Sequence, residues 1–282
     1  RVIGPDINGS HRWLGPRGLS LQVSEFAKLG MVFCLAHSLA LNQSRIGELK
    51  RGYFFPLGIV GALAGLVVIE PDFGMATFYM IVGLVMLFLA GAKWRYLLTS
   101  AAIGGALLAV LVMNNENRMR RLREFFNEAP PPQVQQAIAA YAAGGTTGAG
   151  LGQGRQQLGF LPEAHTDMIF AVIGEELGLW FTRGVVATYA TIRGAGLIHL
   201  RRAPNLFHFL LVTGCLVFIA VQAAINLFSV TGMVPPKGIS LPFISAGLSN
   251  LLLMGLFLGV ILNTQRTWGR ATLADDARSI RE

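Results

Sequence analysis

Apolar runs separated by short polar segments are the main pattern along the chain. Seven runs carry few or no charged residues, and they lie at 26–41, 53–69, 73–92, 96–113, 168–192, 206–228 and 248–263. About 20 consecutive apolar residues form a helix long enough to cross the hydrocarbon core of a bilayer. Each run approaches or exceeds this length, so the pattern predicts an all-α bundle with seven membrane-spanning helices.

Composition and charge agree with that prediction. Hydrophobic residues make up 53% of the 282 residues and charged residues 13%, whereas about 25% of the residues of a soluble domain are charged. Lys and Arg are concentrated in 42–52, 93–95, 193–205 and the tail from 264, which places these segments inside by the positive-inside rule. The net charge of +8 then reflects topology and does not imply a nucleic-acid partner.

The same topology puts the N-terminus outside and the C-terminus inside. Because the chain would then begin outside the membrane, we expect upstream helices before Arg1. No internal repeat and no linker divides the sequence, which predicts a single membrane domain over 1–282. Cys34 and Cys215 fall within apolar runs, where we interpret them as packing residues rather than as disulfide or metal-binding residues.

Two long irregular segments fall on the predicted outer face. The first, 114–166, is a large extracytoplasmic loop with an arginine cluster, a predicted short helix at 133–143 and a Gly-rich stretch at 144–154. The second, 229–247, contains three prolines. Non-helical backbone at membrane depth is tolerated where it is buried in protein or lines a water-filled cavity. We therefore expect the active site on this face.

The segment 161–178 has the highest density of ionisable residues near a predicted helix start. Glu163, His165 and Asp167 come at the helix mouth, and Glu175 and Glu176 follow about two turns into the span. Carboxylates within a membrane helix are costly and mark functional sites. Asp167 lies at the water edge, where a carboxylate can act as a general base. A metal site formed by the first three residues stays an alternative, although their spacing matches no known zinc motif.

Other charged residues allow two interpretations each. Glu25 and Lys28 share one helical face, and they form either a local ion pair or a charged pair that faces a polar cavity. Asp72 lies in an acidic turn, where it either caps the next helix or contacts a substrate. The arginines at 118–123 suit an anionic partner such as a phosphate, or else the solvated face of an amphipathic helix.

Six short segments occur in a fixed order along the chain. They are NGSHRW at 8–13, SEFAK at 24–28, EPDFG at 70–74, NRMRR at 117–121, PEAHTDMIFAVIGEELG at 162–178 and PPKGISLPFISAGLSN at 235–250. In this order they resemble the SEDS family of peptidoglycan glycosyltransferases, FtsW and RodA, over essentially the whole chain. Ala164 and the residues at 236–238 look more similar to the FtsW branch, which acts in cell division. The resemblance implies ten spanning helices with both ends cytoplasmic, of which three would precede Arg1.

The resemblance also implies an activity and a set of site residues. Family members polymerise lipid II, an undecaprenyl-pyrophosphate-linked disaccharide pentapeptide, into glycan strands at the outer face of the bacterial cytoplasmic membrane. By this resemblance Asp167 is the catalytic aspartate. The candidate substrate-binding residues are Arg12, Trp13, Glu25, Lys28, Asp72, Arg118, Arg120, Arg121, Gln156, His165, Glu175, Lys237 and Ser245. The arginines would stabilise the leaving lipid pyrophosphate, together with a divalent cation, Mg²⁺ or Mn²⁺, if the reaction uses one.

The partners implied are a class B penicillin-binding protein, which is a transpeptidase, and other divisome membrane proteins. Two further functions stay open on the sequence alone, namely a lipid II flippase and a non-catalytic divisome scaffold. The sequence departs from the family pattern in two places: SAGLS at 245–249 replaces the usual serine-tyrosine-glycine-glycine-serine, and Arg183 occupies a normally apolar position. Arg183 lies seven residues after Glu176, and this spacing predicts an internal charge pair.

Overall fold

The computed structural model describes residues 13–14, 21–70, 72–127, 131–155, 161 and 163–279. A two-residue antiparallel pair, β1 (Trp13–Leu14) and β2 (Leu21–Gln22), precedes the helices. The helices are α1 (Val23–Leu41), α2 (Phe55–Ile69), α3 (Phe73–Leu89), α4 (Trp94–Met113), α5 (Glu116–Asn127), α6 (Pro132–Gly144), α7 (Ile169–Leu200), α8 (Leu206–Val230) and α9 (Leu248–Ser279). A 3₁₀ turn (Gln43–Arg45) and a π-helical segment (Leu49–Phe54) connect α1 to α2. The all-α class is confirmed.

Each of the seven apolar runs forms a helix. Five helical segments are long and apolar enough to cross a membrane, and they are Val23–Leu41, Gly52–Ile69, Trp94–Met113, Leu206–Val230 and Leu248–Trp268. α3 is apolar but shorter, with 17 residues. α7 has 32 residues and carries ionisable side chains near its start. The protein is therefore a polytopic membrane helix bundle, as the apolar pattern predicts.

The core of the bundle is formed by α1, α3, α8 and α9. Phe218 of α8 packs against Phe78 of α3 with ring centroids 5.0 Å apart, and it stacks on Phe257 of α9 at 5.5 Å. Between α2 and α3, a Cβ added to Gly83 would collide with Val60, so the missing side chain allows the two helices to approach closely. Small residues at such contacts are typical of helix packing in membranes.

α4 lies at the edge of the bundle. None of its residues is buried against the described part of the chain. A groove of about 580 Å³ separates it from α2 and α3, and the lining side chains are almost all apolar. The groove follows α2 from Phe54, just before the helix begins, to Val68 near its end. There the lining includes Ala76 near the start of α3 and Leu111 near the end of α4.

α7 is interrupted at Gly178, which has a non-helical φ of +75°. The Gly-rich stretch fills the interruption, because the Ala149 amide donates a hydrogen bond of 2.9 Å to the Glu175 carbonyl. A Cβ on Gly148 would collide with the Glu176 backbone, so only glycine fits at this position. The glycines break regular structure, as predicted, and they supply hydrogen bonds that the interrupted helix does not make.

The interruption also explains why the predicted charge pair is wrong. Arg183 is exposed, and its guanidinium carbon lies 5.2 Å from the centroid of the Trp180 ring. Among the residues described, Arg183 forms no ion pair with Glu176. A spacing of seven residues puts two side chains on one face only if the helix is continuous, and Gly178 breaks the helix between them.

The segment 231–247 folds back into the bundle beside α8. The side-chain amide of Gln222 donates to the Ser240 carbonyl at 2.9 Å, and that of Asn226 donates to the Ile239 carbonyl at 2.7 Å. Gln222 lies two turns before the end of α8, so the segment descends about 12 Å at a rise of 1.5 Å per residue. Non-helical backbone at this depth needs protein partners in place of water, and the two amides provide them.

Candidate active site

The turn at 163–168, immediately before α7, holds the predicted catalytic aspartate. The Glu163 carbonyl accepts hydrogen bonds from the amides of Thr166 and Met168, at 3.1 and 3.2 Å. The Thr166 hydroxyl also donates to the Glu163 carboxylate at 2.8 Å. Glu163 has a φ of +54°, which is an unfavourable conformation for a residue with a side chain. Such strain persists only where surrounding contacts fix the backbone, and it is concentrated at functional sites.

Three hydrogen bonds from other elements hold the backbone of this turn. The carbonyl oxygens of the consecutive residues 165–167 each accept one bond. The donors are, in that order, the Ala246 amide at 2.9 Å, the Ser245 hydroxyl at 2.6 Å and the side-chain amide of Asn226 at 2.8 Å. The Ser245 hydroxyl in turn accepts from the Leu241 amide at 2.6 Å. The re-entrant segment 231–247 and α8 together therefore fix the position of the Asp167 backbone.

The carboxyl group of Asp167 lies beside the backbone of the re-entrant segment. A Cβ on Gly238 would come within 3.0 Å of Asp167 Oδ2. The pKa of Asp167 is raised to about 6, mainly by burial and in smaller part by the negative charge of Glu163. A carboxyl group with a pKa near neutrality both takes up and releases a proton readily, as a general base requires.

Lys237 brings a cation close to the start of α3. Its amide donates to the Ser229 hydroxyl at 3.1 Å, and its Cδ lies 3.7 Å from the position of a Cβ added to Gly74. Burial lowers the pKa of the Lys237 ammonium, and Asp72 opposes part of this effect. Asp72 also caps α3, because its Oδ1 accepts from the Met75 amide at 2.9 Å. The predicted cap is confirmed, and its substrate contact stays a prediction.

Glu25 and Lys28 form a buried ion pair inside the bundle. Lys28 Nζ lies 2.8 Å from both Glu25 carboxylate oxygens and donates to Gln222 Oε1 at 3.0 Å. Lys28 is 1% exposed. Gln222 donates in addition to the Asn250 side-chain oxygen at 2.8 Å. The pair therefore joins α1 to the polar contacts of α8 and α9, and its role toward the substrate stays a prediction.

Glu175 and Glu176 contact the Gly-rich stretch through their side chains. Glu175 Oε1 accepts from the Arg155 amide at 2.8 Å, and Glu176 Oε1 accepts from the Gly154 amide at 3.4 Å. Glu175 is 2% exposed. A buried carboxylate with a backbone donor holds that backbone in place. The geometry thus gives Glu175 an anchoring contact, while its predicted substrate contact is untested.

The remaining candidates are only partly described. Arg120 lies on α5 with an exposed side chain, and the His165 side chain is also exposed. Arg118 and Arg121 lie on the same helix and Trp13 lies in β1, but their side chains are outside the described part of the structure. The predictions for Arg12 and Gln156 fall outside the described residues.

A metal site at the turn does not form. No three His, Cys, Asp or Glu side chains within the described ranges gather closely enough to hold a metal ion. Glu163, His165 and Asp167 all belong to those ranges. The metal-site alternative is therefore wrong, and the described residues do not fit a divalent cation that is held by protein ligands alone.

Comparison with known proteins assigns the family. Residues 1–268 match the family model FtsW/RodA/SpoVE, described as cell cycle protein. The chain belongs to this family. It is 38% identical to the probable peptidoglycan glycosyltransferase FtsW of Coxiella burnetii, over 93% of this chain and 72% of that protein. It is 36% identical to stage V sporulation protein E of Bacillus subtilis, over 94% of this chain and 74% of that protein.

Solved structures of FtsW/RodA/SpoVE-type folds agree with the assignment. A chain from a peptidoglycan synthase complex with coordinated polymerization and crosslinking matches with a TM-score of 0.78 at 25% identity, covering 95% of this chain and 76% of that one. The rod shape determining protein RodA of Thermus thermophilus matches with a TM-score of 0.66 at 27% identity, covering 94% and 73%. The SEDS resemblance is therefore confirmed.

Two residues of the site in this FtsW/RodA/SpoVE family protein are not among those predicted from the sequence. Gln222 and Asn226 bind the re-entrant segment, and Asn226 also binds Asp167. The available signal was a pair of amide residues spaced four apart in an otherwise apolar run, which puts both on one helical face. Polar side chains inside a membrane span face the protein interior and mark functional positions.

Proposed function

We propose that this protein is a peptidoglycan glycosyltransferase that polymerises lipid II into glycan strands during cell division, with Asp167 as the general base. The observation that carries the proposal is the Asp167 carboxyl group, whose pKa is raised to about 6 in a turn held by three external hydrogen bonds. The family supports the reaction, because relatives of this chain are named probable peptidoglycan glycosyltransferases.

The reaction joins a sugar 4-hydroxyl of one lipid II molecule to the anomeric carbon of another. Asp167 accepts the hydroxyl proton as the new C–O bond forms and the bond to the lipid pyrophosphate breaks. Negative charge develops on the leaving pyrophosphate, and cations that are already in position stabilise it. Lys237 beside the start of α3 and Arg120 on α5 suit this role.

The groove between α2, α3 and α4 supports a lipid-linked substrate. Its lining is almost entirely apolar, so a hydrocarbon chain can lie there without removing polar groups from their hydrogen-bond partners. Ala76 lines the groove one turn after Asp72, the cap of α3. A polyprenyl chain in this groove would therefore bring its pyrophosphate toward Lys237.

The proposal places the protein in the bacterial cytoplasmic membrane with the Asp167 turn on the extracytoplasmic side. The distribution of Lys and Arg in the connecting segments supports this orientation. A class B penicillin-binding protein is the proposed partner, together with other divisome membrane proteins. The similarity to a chain of a peptidoglycan synthase complex that coordinates polymerization and crosslinking supports such a pairing.

The test is reconstitution of the full-length protein with lipid II in vesicles, followed by separation of the products by size. Glycan strands are the expected product. Transfer of lipid II across the bilayer without polymer would overturn the proposal in favour of a flippase. Partner binding with neither polymer nor transfer would overturn it in favour of a scaffold.

A further inference from the structure

Two buried side-chain amides on α8 lie directly below the Asp167 turn. Gln222 and Asn226 are each 1% exposed and are four residues apart, so they lie on one face of the helix. Polar side chains at membrane depth are costly and need specific partners. The hydrogen-bond partners of Gln222 lie in the interior of the bundle, whereas those of Asn226 include Asp167.

Gln222 uses both ends of its amide on the interior of the bundle. Its oxygen accepts from Lys28, and its nitrogen donates to the Ser240 carbonyl and to Asn250. None of these partners is a residue of the turn at 163–168. Gln222 therefore stabilises the contact between α1, α9 and the re-entrant segment.

Asn226 instead joins the two pieces of backbone that enclose the Asp167 carboxyl. Its nitrogen donates to the Asp167 carbonyl at 2.8 Å and to the Ile239 carbonyl at 2.7 Å. A primary amide has two N–H donors, so both are used. Ile239 follows Gly238, where an added Cβ would come within 3.0 Å of Asp167 Oδ2. The Asn226 side chain thus joins the residue that carries the carboxyl directly to the backbone of residue 239.

The orientation of the Asn226 amide is determined by these contacts. Both neighbours are carbonyl acceptors, so the nitrogen must face them. The oxygen of Asn226 is then buried without a hydrogen-bond partner in the described part of the chain. Leaving a buried acceptor unpaired is unfavourable, so the contribution of the amide at this position comes from its two donated bonds.

We propose that Asn226 is a positioning residue for the glycosyl transfer, which fixes the Asp167 carboxyl against the backbone of residues 238–239. This inference rests on the proposed role of Asp167 as general base. Without the Asn226 amide, the bonds from 245–246 still hold residues 165–166, but Asp167 and residue 239 lose the donor that joins them, and water reaches the carboxyl. The base is then displaced from the sugar hydroxyl, while the groove, whose lining includes no residue of 231–247, is unchanged.

The expected result for Asn226→Ala is a fall in kcat of about 100-fold, the loss that a displacement of about 1 Å produces, with KM for lipid II nearly unchanged. Because burial is the main cause of the raised pKa of Asp167, the acid limb of the pH–rate profile should also move to lower pH. A purely structural role would reduce the amount of folded protein without moving that limb.

Gln222→Ala is the matched control, since it removes a buried amide from the same face of α8 without touching Asp167. It should lower thermal stability at least as much as Asn226→Ala and leave the acid limb in place. An equal shift of the acid limb in both variants would overturn the proposal, because general loosening would then explain it. Parent kcat and an unmoved acid limb in Asn226→Ala would also overturn it.

If Asn226→Ala does not fold, Asn226→Ser carries the same test, since its hydroxyl can still donate to one carbonyl. Failure of both to fold would assign Asn226 to stability alone and overturn the proposal. Asp167→Asn is assayed in parallel. An active Asp167→Asn variant would refute the general base itself, whereas an inactive one beside unaffected Asn226 variants would refute only the positioning role.

Discussion

Asp167 and Glu175 are both acidic residues near the start of α7, but hydrogen-bond donors bind the backbone of one and the side chain of the other. At Asp167 the backbone carbonyl is bound by Asn226, and no donor in the described part of the chain binds the carboxyl oxygens. At Glu175 the carboxylate itself is bound by the Arg155 amide. The Glu175 carboxylate therefore stabilises a backbone segment. The Asp167 carboxyl instead lies on a fixed backbone, where it is available to accept a proton.

The comparison predicts the largest effect for Asp167→Asn. This change keeps the size of the side chain but removes the base, and loss of general-base assistance costs about 100- to 10,000-fold in rate. Polymerisation of lipid II by the reconstituted full-length protein measures the effect, with melting temperature as the check on folding. Near-parent activity from a well-folded variant would refute the general base, and Glu163 would then be the next carboxylate to test.

Glu175→Ala should act on stability first. It removes the buried carboxylate that accepts from the Arg155 amide, and a hydrogen bond to a charged group contributes about 1.5–3 kcal/mol, so hydrogen exchange over 144–155 should become faster. Glu175→Gln is the matched control, because its side-chain oxygen can still accept the bond.

Activity should distinguish an anchoring role of Glu175 from a role in the reaction. We expect Glu175→Gln to retain most of the parent rate and the parent exchange pattern. If Glu175→Gln is as inactive as Asp167→Asn while its melting temperature is unchanged, the charge of Glu175 takes part in the reaction, and the comparison between the two carboxylates fails.

Glu163→Gln should shift a pH profile with a smaller effect on rate. The base must be deprotonated, so with a pKa of about 6 for Asp167 the rate should rise with pH and reach half its maximum near that value. Removal of the Glu163 charge removes one cause of the raised pKa, so the acid limb should move to lower pH. A shift to higher pH, or none, would show that Glu163 does not act on Asp167 through its charge.

Arg183→Leu should have the smallest effect. The guanidinium is exposed over Trp180 and forms no ion pair among the described residues, so its loss removes no buried partner. Polymerisation and melting temperature should stay close to those of the parent. A fall in melting temperature comparable to that of Glu175→Ala would instead support the internal charge pair that the seven-residue spacing predicts.

Local patterns in the sequence predict the local parts of this molecule. The apolar runs, the short helix after Pro131 and the Asp72 cap each depend on residues close together in the chain, and all three are present. The depth of the segment 231–247 depends on long-range contacts, since Asn226 and Asp167 are 59 residues apart. Periodicity carries no information on such pairs.

The same limit applies to the site. Asp167 was identified by its position in a motif and at a helix start, but the donors that hold its turn come from α8 and from 245–246. Arg183 was misassigned because a spacing argument assumes an unbroken helix, and Gly178 alone gives little indication of a break. A glycine within a helical pattern indicates a break more strongly when a Gly-rich segment elsewhere in the chain can supply the hydrogen bonds that the interrupted helix does not make.

The interruption at Gly178 divides the span of α7 into two parts. Because the positive-inside rule assigns the segment from 193 to the inside, the second part of the span is 179–192, which extends about 21 Å at 1.5 Å per residue. This is less than the hydrocarbon thickness of about 30 Å. The part before Gly178 therefore completes the crossing, and a change of the angle at Gly178 would move Asp167 relative to the membrane surface while residues 179–192 stay in place.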